Sequence, residues 1–261
     1  MDNSWLERST LLIAQEGIQR LNESHVLIVG LGGVGSYAAE AIARAGVGKI
    51  TILDGDVVDP TNRNRQLQAL ATTHGQSKAL LMEDRIRQIN PSVSLVVKDQ
   101  FLDVAGAKAA VQAEKYDYVI DAIDSITPKV NLMATCYWND IPLISSMGAG
   151  GRMDPSKIVI GDLKNTYNCF LAQVVRKRLI KHNVYGGIKV VWSKEEVYKK
   201  SLMYTQSRFK KSAYGTISYI PAMFGMTCAS VVIRDLSGWS QQQKLKAEKK
   251  KRRDAKKKDE Q

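Results

Sequence analysis

Between His25 and Gly46 the chain reads HVLIVGLGGVGSYAAEAIARAG: an apolar run, then Gly30, Gly32, Gly33 and Gly35, then an alanine-rich stretch. Glycines between a strand and a helix permit a tight turn and let backbone N–H groups approach a phosphate, which the helix dipole also favours. Asp54 closes the next apolar run, ITILD, where a carboxylate can accept hydrogen bonds from ribose hydroxyls. Loop and acid together specify an adenosine nucleotide. They leave NAD and ATP both open, because each carries a ribose and a phosphate chain.

The following residues separate the two. DGDVVDPTNRNRQLQALATTHGQSKA brings in Asp56, Asn62, Arg65, Gln66 and Lys78 soon after the ribose acid. A nicotinamide site needs an apolar face and no cationic cluster here. A triphosphate needs donors and cations that follow the charge building on a departing pyrophosphate, and Arg65 and Lys78 suit that work. Asp124, in VIDAIDSI, stands just past a strand, where a hard oxygen ligand suits Mg²⁺. Taken singly, each has a plainer role: Arg65 in a surface ion pair, Lys78 on a solvated helix face, Asp124 as a helix cap. Their joint spacing favours ATP.

These residues need a scaffold of alternating elements, and the chain has one. Strand patterns occur at 25–29, 50–54, 92–97, 117–123 and 141–146, with helix patterns at 34–45, 76–89, 104–114 and 128–138. That alternation predicts an α/β, Rossmann-like, doubly wound and mostly parallel sheet. After Gly151 the pattern predicts a C-terminal extension: strands at 157–163 and 188–193, a basic helix at 165–182, a long loop at 194–215 and a buried helix at 220–236. One adenylating-type domain over 1–240 and a disordered basic tail over 241–261 are the expected organisation, because the tail has almost no apolar residues to repay ordering.

No apolar run approaches the roughly 20 residues of a membrane span, and MDNSWLERST lacks the pattern of a secretory signal, so a cytoplasmic protein without membrane contact is expected. Cys136, Cys169 and Cys228 are widely spaced, with no CxxC, and each reads as packing. The charge is uneven. Residues 244–261 carry ten Lys/Arg against four acids, and 176–211 carry eleven against two. These stretches sum to +15 in a chain of net +12, leaving the remainder near −3. A polyanion such as nucleic acid fits those patches, and so does plain solubility.

GLGGVGS (30–36), DGD…NRNRQ (54–66), GQSKA (75–79) and DAIDS (121–125) resemble the adenylating enzymes that activate ubiquitin-like proteins and their relatives in molybdopterin and thiamine biosynthesis. The resemblance implies that Gly32, Gly33, Gly35 and Asp54 hold ATP, that Asn62, Arg65, Gln66 and Lys78 grip its phosphates, and that Asp124 binds Mg²⁺. It implies a phosphate contact for Arg8, in some members made from the neighbouring subunit, and hence a homodimer. SSMGAGGRMDPSKI (145–158), DLKNT (162–166) and GTISYIPAMFGMTCASVVIRDL (215–236) are similar to the branch that dehydrates threonylcarbamoyladenosine in tRNA. The likeness runs over about 6–236. Members of that branch can also bind a monovalent cation. The paired zinc cysteines of the sulfur-carrier enzymes are missing from this sequence.

The implied reaction activates the threonyl carboxylate as an adenylate, releasing pyrophosphate. A nitrogen or oxygen of the substrate's own urea then closes a ring and expels AMP, so no enzyme nucleophile is needed. The stretch holding Lys199, Lys200, Arg208, Lys210 and Lys211 is interleaved with Tyr198, Tyr204, Phe209 and Tyr214, a pattern suited to phosphates and splayed bases. Partners expected are tRNA, a second copy of the chain and a sulfur-transfer or tRNA-modification protein. The alternatives are adenylation of a ubiquitin-like sulfur carrier, an NAD-dependent oxidoreductase and a nucleotide sensor without catalysis.

Overall fold

The computed structural model describes residues 4–207, 210–241 and 243. Its centre is a seven-stranded sheet in the order β3-β2-β1-β4-β5-β7-β6. The strands are β1 (His25–Val29), β2 (Lys49–Leu53), β3 (Ser94–Lys98), β4 (Tyr118–Asp121), β5 (Leu143–Ser146), β6 (Ile158–Asp162) and β7 (Lys189–Ser193). All neighbours pair parallel except β6, which runs antiparallel to β7 at the edge. The near-continuous Val/Ile/Leu character of β1 and β4 follows from being covered on both faces.

Helices supply that cover. On one face lie α1 (Glu7–Glu23), α2 (Gly35–Arg44), α3 (Lys78–Ile89) and the long α7 (Tyr219–Leu236). On the other lie α4 (Val104–Gln112), α5 (Ile126–Trp138) and α6 (Phe170–Ile180). Strand alternation sorts the core. Val26 and Ile28 pack under α2 and α7, whereas Leu27 and Val29 pack under α4 and α5. The buried thiols of Cys136 and Cys228 are pushed up to about 12 by burial, and Cys169 is also buried. Among the described residues, no helix is long and apolar enough to cross a membrane.

The chain order creates one crevice. From β1 it winds outward through β2 to β3, then returns to place β4 on the other side of β1. Adjacent loops therefore diverge at the carboxyl ends of β1 and β4, the position where open α/β sheets bind ligands. The glycine run leaves β1 at this point and Asp124 follows β4.

Two sequence expectations need correction. Residues 194–215 are not one long loop: β8 (Leu202–Ser207) and β9 (Lys210–Tyr214) form an antiparallel ribbon. Its polar, basic sequence gives no one-sided apolar alternation, so periodicity could not reveal it. The basic helix also begins later than 165. Asn168 takes a positive φ of 53° and Cys169 is the helix cap, so α6 starts at Phe170. The 241–261 expectation falls, apart from Gln241 and Gln243, outside the described residues.

Candidate active site

Steric necessity explains the glycines. Gly30 has φ +86°, donates its N–H to the Leu53 carbonyl at 2.8 Å, and a Cβ there would lie 2.9 Å from the Ala122 oxygen. A Cβ on Gly35 would collide with the Gly30 carbonyl. Gly33 faces the Arg65 carbonyl and Pro221 at the start of α7, with 3.2 and 3.0 Å left for a Cβ. Gly32 has more room, its nearest neighbour being Gln66 Nε2 at 3.8 Å. The loop is thus pressed against Arg65 and Gln66 while α2 begins behind it.

Asp54 sits at the carboxyl end of β2. One carboxylate oxygen accepts the Leu31 N–H, and the other accepts the Asp56 N–H at 2.8 Å. Each oxygen keeps a further acceptor direction for a ligand hydroxyl. Burial pushes the Asp54 carboxyl above the usual aspartate range, against the pull of Lys78 and the two N–H donors. Lys78 is the first residue of α3 and is buried, an unfavourable seat for a cation at a positive helix end. Asp56 holds it by an ion pair of 3.0 Å. Asp56 is therefore engaged with Lys78 here.

Asn62 ends a short 3-10 turn, Pro60–Asn62, and its Oδ1 accepts from the Asp59 N–H in a reciprocal cap with Asp59. Gln66 is buried, with 8% of its surface exposed, and its Oε1 has no hydrogen-bond partner among the described residues. An unsatisfied buried amide beside the glycine loop is what a ligand-binding crevice would leave. Arg65 Nη1 donates to the Thr61 carbonyl at 3.0 Å and to Asn64 Oδ1 at 2.9 Å. Burial lowers the Arg65 guanidinium from its ordinary value, while the charges of Asp124 and Asp59 act the other way. Asp124 is exposed at the crevice, with Arg65 within electrostatic reach.

Sequence reasoning missed what holds Asp124. Asp121, the last residue of β4, is fully buried and ion-paired to the fully buried Lys129 at 2.9 Å. Asp121 also accepts from Ser145 Oγ at 2.6 Å and the Ile123 N–H at 3.0 Å, while Lys129 donates to the Ile123 carbonyl at 2.9 Å. The loop 122–124 is thereby fastened at both peptide groups of Ile123. A lysine in the first turn of the apolar helix ITPKVNLMATCYW was the available signal.

Other expected residues stand apart. Leu6 packs on Gly46, and α1 breaks at Ala14 (φ 60°, ψ 172°) so that the Asn22 carbonyl abuts Gly48. Both ends of α1 thus meet the turn before β2, so the start of α1, with exposed Arg8 two residues after Leu6, stands at the end of that strand away from Asp54. Lys199 and Lys200 are exposed in a turn leading into β8. Lys210 and Lys211 are described only as backbone in β9, and Arg208 lies outside the described residues. Tyr198 and Tyr204 are exposed, and Tyr214 is half-buried.

The ribbon is fastened to the crevice rim by the glycine segment after β5. Gly151 donates to the Gly215 carbonyl at 2.8 Å and accepts from the Tyr198 N–H at 2.9 Å. A Cβ on Gly150 would lie 3.0 Å from Tyr214 Cβ, so glycine allows this close approach. Buried Arg152 stiffens the segment through the carbonyls of Gly148, Gly150 and Asn168.

The model of the ThiF family matches residues 6–259. The chain belongs to the ThiF family. Among ThiF relatives, tRNA threonylcarbamoyladenosine dehydratase of Bacillus subtilis (strain 168) is 40% identical over 239 residues, covering 88% of this chain and 93% of the relative. The crystal structure of E. coli tRNA N6-threonylcarbamoyladenosine dehydratase in complex with ATP superposes with a TM-score of 0.82 at 36% identity, covering 93% of this chain and 98% of that one. The AMP complex of the same enzyme gives 0.81 at 37% identity, covering 92% and 98%. The ThiF assignment carries the Rossmann-like sheet with it, and the NAD reading falls away.

Proposed function

We infer that this chain carries out the ATP-dependent dehydration of N6-threonylcarbamoyladenosine in tRNA. The observation that carries this reading is its likeness, over nearly its whole length, to a dehydratase crystallised with ATP and with AMP. The crevice supports it with Asp54, Arg65, Gln66 and Lys78 around the glycine loop, and its three cysteines are buried rather than grouped as zinc ligands.

In the reaction, Asp54 accepts the ribose hydroxyls, and the N–H groups around Gly32, Gly33 and Gly35 face the phosphates. Asn62 and Gln66 donate to phosphate oxygens. The threonyl carboxylate attacks the α-phosphorus, the bond to the β-phosphate oxygen breaks, and pyrophosphate leaves with Arg65 and Lys78 stabilising its charge. Lys78 turns from Asp56 toward the phosphates as that charge develops. The urea nitrogen or oxygen then attacks the activated carbonyl, and AMP leaves. Loss of one water from the nucleoside is the net result.

An exposed carboxylate, Asp124, beside a triphosphate suits Mg²⁺, which keeps several waters and takes one or two carboxylates. When bound, the ion neutralises phosphate charge. Asp124 is the residue that would hold it.

With α1 starting at the end of β2 away from Asp54, the phosphate role of Arg8 is assigned to the neighbour's crevice in a homodimer. Mixing Arg8→Ala with Lys78→Ala subunits would then restore activity that neither has alone, and failure to do so removes the crossed role. Lys199, Lys200, Arg208, Lys210 and Lys211 meet the tRNA backbone. Residues 1–240 form the adenylating unit and 241–261 add non-specific attraction, so removing 241–261 spares activity at low salt. The cytoplasm, where tRNA and ATP meet, is its place of work. Nucleoside mass spectrometry tests the whole reading: tRNA bearing threonylcarbamoyladenosine should lose one water only with protein and Mg·ATP. An unchanged mass would refute it.

A further inference from the structure

Asn64 stands between Asn62 and Arg65 and is exposed, yet both ends of its carboxamide are committed. Oδ1 accepts from Arg65 Nη1 at 2.9 Å, and Nδ2 donates to the Thr216 carbonyl at 2.8 Å, across 152 positions of sequence. Thr216 immediately follows the base of the β8–β9 ribbon. There Gly215 donates to the Ser201 carbonyl at 2.9 Å and accepts from Gly151, while Thr216 Oγ1 donates to the Tyr214 carbonyl at 3.0 Å. A continuous hydrogen-bonded path therefore runs from the Arg65 guanidinium through Asn64 to the root of the ribbon.

Beyond that root, the ribbon is open to a partner. Tyr204 is 84% exposed, Tyr198 63% and Met203 57%, with Lys199 and Lys200 exposed beside them. A partner that moved the ribbon root would carry the Thr216 carbonyl with it. The amide bond to Asn64 is lost beyond about 3.5 Å, so Asn64 must follow or let go. If it follows, its Oδ1 moves and so does Arg65, whose Nη1 also donates to the Thr61 carbonyl of the same loop.

We propose that Asn64 is a positioning residue that couples RNA engagement on the β8–β9 ribbon to the alignment of Arg65 with the triphosphate. This rests on the dehydratase reading above and on RNA as the ribbon's partner. It means that the threonyl carboxylate is adenylated faster when the rest of the RNA sits on the ribbon than when the modified nucleoside is offered alone.

The test measures AMP release from Mg·ATP by the full chain, once with the free threonylcarbamoyladenosine nucleoside and once with saturating tRNA that bears it. The quantity of interest is the ratio of the two rates, which a general loss of folding or of active molecules does not change. In Asn64→Ala the ratio should fall about tenfold or more, since displacing a reacting charge by about an ångström costs up to ~10²-fold. Asn64→Asp keeps an acceptor for Arg65 but loses the donor to Thr216, and its ratio should fall as well. A wild-type ratio in Asn64→Ala overturns the coupling, even if both rates drop together. A wild-type ratio in Asn64→Asp alone overturns the Thr216 link. Wild-type protein that releases no AMP with this tRNA overturns the dehydratase reading itself, which the tRNA arm shows before any variant is compared.

Discussion

The crevice between β1 and β4 and the ribbon β8–β9 share a rim but follow opposite plans. In the crevice, atoms are so close that Gly30 and Gly35 admit no side chain and Gly33 leaves little room for one, and Lys78 and Gln66 are buried. On the ribbon, Tyr198, Met203 and Tyr204 lie open to solvent, and among the described residues its tight packing is at the root, on Gly150 and Gly151. The crevice suits a small ligand held at every group. The ribbon suits a large, charged one met over a broad surface, where affinity comes from many weak phosphate contacts. Mutations should therefore act steeply in the crevice and gradually on the ribbon.

The largest expected effects lie in the crevice. Arg65→Ala and Asp124→Ala should each reduce turnover at saturating substrates at least ~10²-fold, the scale of losing one transition-state charge stabiliser. Turnover near wild type in either would strip that residue of its role. Asp54→Asn should weaken ATP binding about tenfold or more, as expected for a hydrogen bond to a charged group. Its pH dependence sharpens the point. Burial raises the Asp54 pKa, and only the ionised form accepts both ribose hydroxyls. ATP affinity should then fall on acidification already above the ordinary aspartate value of about 3.9. Calorimetric titrations across pH should show that component in wild type and not in Asp54→Asn; equal curves would sink it.

Effects on the ribbon should be smaller and salt-dependent. Lys199→Ala with Lys200→Ala should weaken tRNA binding a few-fold and lower the slope of log K against log salt by about 1 to 2. An unchanged slope would mean that these lysines do not meet phosphate. The smallest effect serves as a control away from both regions. Glu40 on α2 bonds Arg44 at 2.9 Å and also pairs with Arg85 on α3. Burial raises its pKa, but the two arginines outweigh that and hold it below the ordinary glutamate value. Its contribution is therefore present above the unfolded pKa of about 4.3 and is lost as pH falls through the lower folded value. Glu40→Gln should cost up to about 1 kcal/mol at pH 7 and almost nothing in acid, read from urea melts, with ATP binding untouched.

Much of this was open to reading from the chain. Period and punctuation marked β1, β2, α2 and α3 to within two residues, because a buried strand or a one-sided helix leaves a repeating apolar signature. The crevice residues were legible as well, because phosphate chemistry restricts residue types at short sequence separation. The ribbon was not legible as β structure, since a solvent-exposed pair of strands needs no apolar alternation. Asp121 and Lys129 escaped notice because a buried ion pair is chosen by its surroundings, and neither residue type announces burial.

By itself, the sequence determined the parallel α/β layering, the turn that only glycine can make after β1, and the set of polar and charged residues that line the crevice. Those properties are local: they follow from side-chain shape and from spacings of a few residues. Tertiary structure alone decided that Asn64 meets Thr216, that Leu6 at the start of α1 packs on the turn before β2, and that the ribbon roots on Gly150 and Gly151. Those contacts join segments tens to more than a hundred residues apart, and no short-range pattern records which distant backbone group a side chain will meet.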